Sequence, residues 1–156
     1  MNPTAKLCYD GGPHMDWFNY IGLIVVAAIL TPNIVYALKH DHPNNNGIPK
    51  ALVVLEGIGR YGCMVFMVFN IPYTWFPLFI EGGLIVYIVV NAVLAVAYIV
   101  LFIVFWNKSG MAKAMLLSVI PSLIFLFSGI MLISLPLLLF ATLFAYSHVF
   151  ISAKTV

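Results

Sequence analysis

Five long apolar stretches separated by short polar turns account for almost the whole sequence, and any fold has to find room for them. A helical membrane span needs about 20 apolar residues, and each stretch meets that length. Charged residues are 8% of the 156, where a water-soluble domain carries about a quarter. The chain therefore reads as an all-α integral membrane protein, a five-transmembrane-helix bundle without a soluble domain. The lipid bilayer is its expected partner. A net charge of +2 is too small to suggest nucleic-acid binding.

The stretches cover residues 17–38, 51–71, 84–106, 111–134 and 136–152. Trp17, Phe18 and Tyr20 open the first as an interfacial aromatic belt. The run from Lys39 through His40-Asp41-His42-Pro43 to Lys50 is a Pro- and Asn-rich loop, and Pro72-Tyr73-Thr74-Trp75-Phe76-Pro77 is an interfacial connection. From Met111 to Ser152 a single helix would be about 60 Å long, twice the hydrocarbon core, so it must fold back. Ser134-Leu135-Pro136 is the expected turn, with Ser134 as a cap and Pro136 in the first turn of the next helix. Lys39, Lys50, Lys108, Lys113 and Lys154 all fall in the loops after the first, third and fifth spans. Cytoplasmic loops are enriched in Lys and Arg, so this alternation predicts an outside N-terminus and a cytoplasmic C-terminus.

Residues 1–14 are polar and irregular, without the basic start and small-residue cleavage site of a signal peptide. Gly12-Pro13-His14-Met15 resembles the scar of a cleavable tag, and Met15 reads well as a native start; a native tail is the alternative. The single transmembrane domain is then 15–156. Cys8 and Cys63 fall in the tail and in a span, so no disulfide framework follows.

Pro32-Asn33-Ile34-Val35-Tyr36-Ala37, Leu55-Glu56-Gly57-Ile58-Gly59-Arg60-Tyr61-Gly62-Cys63-Met64 and Phe69-Asn70-Ile71-Pro72 resemble segments of a group of small hypothetical membrane proteins from Gram-positive bacteria such as clostridia. The resemblance covers the chain from Met15 onward. It implies a multi-pass protein of the bacterial cytoplasmic membrane and carries no activity across.

The second stretch holds the sharpest feature. Glu56, Arg60, Cys63, Met67 and Asn70 follow i, i+4, i+7, i+11, i+14 spacing, which puts them on one helical face. A charge at mid-membrane costs about 2.5–3.5 kcal/mol on insertion scales, so Arg60 needs a partner, and Glu56 one turn away is the obvious one. Gly57, Gly59 and Gly62 would let another helix approach closely. Asn33 and Tyr36, Tyr98, Ser118 and Ser122 around Pro121, and His148 all fall in the cytoplasmic half, where they could line a polar cavity. Tyr87, Asn91, Leu94 and Tyr98 form a second stripe expected to face the bundle. The candidate ligand-binding residues are Glu56, Arg60, Asn91, Asn33, Tyr36, Tyr98 and His148.

His40-Asp41-His42 lacks the spacing of a metal site, and no metal or cofactor is expected. Glu81 reads as a solvated rim residue. No nucleophile elbow, phosphate loop or zincin motif is present, so the reading leans away from an enzyme. Three functions remain in view. One is a small-solute or ion transport or channel-like protein, which with so few spans expects a homo-oligomer. The second is a membrane-embedded enzyme or binder of a lipid or isoprenoid head group, with Arg60 on phosphate and Glu56 or His148 as base. The third is an accessory subunit in which Glu56 and Arg60 only clamp helices together.

Overall fold

In a computed structural model the described residues are 17–39, 48–69, 82–107 and 110–154. Among them are five helices, α1 Tyr20–Lys39, α2 Lys50–Val68, α3 Gly83–Val104, α4 Met111–Met131 and α5 Leu135–Lys154. Each is long and apolar enough to cross a membrane. The tail, the His40-Asp41-His42 loop, Asn70, the Pro72–Pro77 connection, Glu81 and Lys108 lie outside the described residues.

The helices close into a ring in the order α1, α3, α4, α5, α2, with the most extensive packing of α5 against α2 and α4. The core within the ring includes Val25, Val26, Ile29, Met67, Tyr87, Tyr98, Ile124, Phe125, Leu137 and Phe144. Facing outward are Ile24, Val54, Ile85, Val93 and Leu139, all exposed. An exterior this apolar suits hydrocarbon rather than water.

One end of the bundle is aromatic. Trp17, Phe18 and Phe69 pack their rings together, and Phe18 pairs with Phe69 in an antiparallel bridge. The Asn19 N–H donates to the Val68 carbonyl at 2.8 Å. This extended pairing explains why α1 starts after the expected aromatic entry and α2 stops at Val68 rather than at Ile71. The opposite end is basic. Lys39 lies over the Trp106 ring at 5.6 Å, Lys113 over Tyr36 at 4.8 Å and Lys154 over Phe150 at 5.0 Å. Long cationic stems lying on rim aromatics are typical of a headgroup boundary.

The fold-back falls at the expected turn. Leu132 ends α4, Ile133 takes φ 47°, and the Ser134 N–H donates to the Gly129 carbonyl at 3.0 Å, a left-handed helix cap usually held by glycine. Ser134 then caps α5, its hydroxyl accepting from the Leu137 N–H at 3.4 Å, with Pro136 in the first turn. Pro32 and Pro121 are interior to α1 and α4, which continue through both. Around each, side chains serve nearby carbonyls: Thr31 donates to Ala27, Asn33 to Ile29 and Ser122 to Ser118. Such local donors compensate backbone disturbed by proline.

Candidate functional site

Glu56 lies six residues after the start of α2, and Asn33, Tyr98 and His148 each lie six before the end of α1, α3 and α5. At 1.5 Å per residue this sets all four about 9 Å in from the basic end. A polar layer at one depth therefore follows from the alternation of helix directions.

At its centre is a carboxylate with two basic partners. Arg60 donates from both Nε and Nη2 to Glu56 Oε1, with Nε at 3.0 Å. His148 Nδ1 donates to the same oxygen at 3.1 Å. The pairing within α2 is the i, i+4 arrangement. The third partner arrives because α5 lies hard against α2. A Cβ placed on Gly59 would be 2.8 Å from the Phe144 backbone nitrogen, and one on Gly62 would run into the Phe140 ring. Gly57 faces open space instead, so two of the three glycines make the close approach. Phe144 also stacks on the His148 ring, centroids 4.7 Å apart, which fixes the imidazole plane.

Exposure differs sharply across the cluster. The Glu56 side chain is 11% exposed and that of His148 23%, whereas Arg60 keeps 42%. Its neighbours on the stripe, Cys63 and Met67, are fully buried. Arg60 also lies within electrostatic reach of the Tyr98 phenol, which donates to Asn33 Oδ1 at 2.9 Å. From Thr31 onward no residue of α1 is buried, and the contacts that seat α1 on α2 lie at Asn19, Gly22, Met67 and Val68. The two helices are thus fastened at the aromatic end, and the polar layer sits beyond that fastening.

The remaining candidates go elsewhere. Tyr36 joins the basic rim, ring against Phe102 and Trp106. Asn91 belongs to a separate, closed network nearer the aromatic end, donating to the Tyr87 carbonyl at 2.9 Å and accepting from Ser128 at 3.1 Å. Asn19 extends it, donating to the Tyr87 hydroxyl at 3.2 Å and to the Met67 carbonyl at 3.1 Å. Asn19, Tyr87, Asn91 and Ser128 are fully buried. The stripe on α3 faces the bundle as expected, and Asn91 pairs with α4 rather than with Arg60. Ser118 donates to Ser152, which ties α4 to α5 at the basic end.

Sequence reasoning missed the direct His148 to Glu56 contact and the roles of Asn19 and Ser128. A buried amide between interfacial aromatics was the available signal for Asn19. No three His, Cys, Asp or Glu side chains gather as a metal site among the described residues. Cys63 is buried and His148 spends Nδ1 on Glu56, an arrangement that offers no thiol and base pair. Comparison with protein-family models, with curated proteins and with solved structures finds no match.

Proposed function

We propose that this chain is a multi-pass protein of the bacterial cytoplasmic membrane, N-terminus outside and C-terminus inside, that handles a small polar or ionic solute at Glu56, Arg60 and His148. The lysines at one end of the bundle support that orientation, since cationic rims favour the cytoplasmic face. The observation that carries the solute reading is the exposure of Arg60. A guanidinium in the middle of an apolar helix, 42% open while its carboxylate partner is buried, is held toward accessible space rather than packed away. A pair serving only to clamp helices gains by burying both charges against protein. Transport or channel-like passage from the basic end is the activity that this geometry supports best, with a homo-oligomer supplying whatever one ring of five helices lacks.

A second reading is a binder or enzyme for a lipid or isoprenoid head group. What favours it is an open apolar groove of about 570 Å³ along α2, lined by Val54, Gly57, Ile58 and Tyr61 among others. Gly57 and Tyr61 neighbour Arg60 on the helix surface, so a chain lying there would bring its head group near the guanidinium.

The test is a thermal-shift screen of ions and small solutes on purified wild type, Arg60→Ala and Glu56→Ala. At least one solute is expected to stabilise the wild type and neither variant. If both variants fold and every response survives unchanged, the pair is a packing clamp.

A further inference from the structure

We infer that the ligand taken at this centre is an oxyanion, a carboxylate or phosphate group held by the free edge of the Arg60 guanidinium. The inference rests on the reading of Glu56, Arg60 and His148 as a ligand site and names the chemistry of its ligand.

A guanidinium offers five N–H donors along two edges, Nε with Nη2 and Nη1 with Nη2. Glu56 occupies the first edge, and with a single oxygen, because Nε and Nη2 both donate to Oε1. The second edge has no protein acceptor among the described residues. Its two parallel N–H groups form the fork that matches two oxygens of a carboxylate or phosphate. Leaving such donors unused is tolerable only where something else accepts from them, and the 42% exposure of Arg60 gives a ligand room to do so.

The rest of the cluster favours an anion over a cation. Glu56 Oε1 already accepts from Arg60 twice and from His148 once, so its charge is compensated on the buried side. The Arg60 guanidinium, not the carboxylate, is the exposed charge of the pair. Glu56 acts here as a positioning residue, fixing one edge of the guanidinium so that the other is presented. Lys39, Lys50, Lys113 and Lys154 ring the end from which the layer is reached, and they raise the local concentration of anions there.

One anionic group could come from a soluble ion or from a lipid head group, and two arms separate them. In the first, wild-type protein in non-ionic detergent is titrated with inorganic phosphate against chloride at matched ionic strength, read by thermal shift. In the second, the protein is placed in vesicles of phosphatidylcholine with or without phosphatidylglycerol and unfolded in the same way. Saturable stabilisation is expected in at least one arm: phosphate alone marks a soluble anion, phosphatidylglycerol alone a head group. Arg60→Lys keeps the charge and loses the fork, and is expected to weaken that binding about tenfold or more. Absence of stabilisation by both probes overturns the inference, as does equal affinity in a folded Arg60→Lys variant. If other solutes still act on the wild type through Arg60 and Glu56 while neither anion does, the site stands and only its oxyanion ligand falls.

Discussion

Glu56 has two basic partners and Arg60 has one acidic partner, and this asymmetry orders the effects of removing either. Without Glu56, Arg60 loses its only acceptor among the described residues and His148 loses its own. Without Arg60, Glu56 keeps the His148 donor. Glu56→Ala is therefore expected to lower stability in detergent by about 1–3 kcal/mol and Arg60→Ala by less, since Arg60 is half in solvent. The double variant should recover part of the Glu56→Ala loss. Thermal unfolding of the three variants checks this, and a double variant weaker than Glu56→Ala would speak against the pairing. The contact between Glu56 and Arg60 was legible in the sequence because both are on one helix, four residues apart. The contact with His148 was not, because its position depends on how α5 is rotated against α2. That rotation is set by Gly59 against Phe144 and Gly62 against Phe140, a match of two surfaces that no periodicity expresses.

At the scale of the element, α2 and α5 form the frame on which the centre is hung. A methyl group at position 59 would meet the Phe144 backbone, which cannot swing aside as a side-chain tip can. Overpacking of this kind costs about 1–3 kcal/mol. Gly59→Ala is expected to destabilise by that amount and to separate His148 from Glu56. Gly57→Ala, into open space two residues away, should be neutral or slightly stabilising through better helix propensity. Melting temperatures of the pair measured side by side decide the point; equal losses would mean that the α2 to α5 approach is looser than described. The helices themselves were legible from length and hydropathy. Their ends were less so, because α2 yields to an extended pairing between Phe18 and Phe69, and α4 ends in a cap with Ile133 in the left-handed region. Both depend on partners or conformations outside an apolar count.

At the scale of the whole molecule, the two ends differ in kind. The aromatic end is fastened by the buried network of Asn19, Tyr87, Asn91 and Ser128. The layer of Glu56, Arg60, Tyr98, Asn33 and His148 lies toward the basic end, where the second half of α1 contributes no buried residue. The alternation of spans made that common depth readable from sequence, whereas the division into one open and one closed network was not, because it depends on which polar side chains meet. The central claim is that Arg60 is reached by solutes from the basic end. It is tested most directly by Arg60→Cys, in a background with Cys8 and Cys63 replaced by alanine, labelled in sealed vesicles with a charged, membrane-impermeant thiol reagent. The account predicts rapid labelling from the side carrying Lys39, Lys50, Lys113 and Lys154 and none from the aromatic side. A folded variant that labels from neither side, or only from the aromatic side, would contradict it.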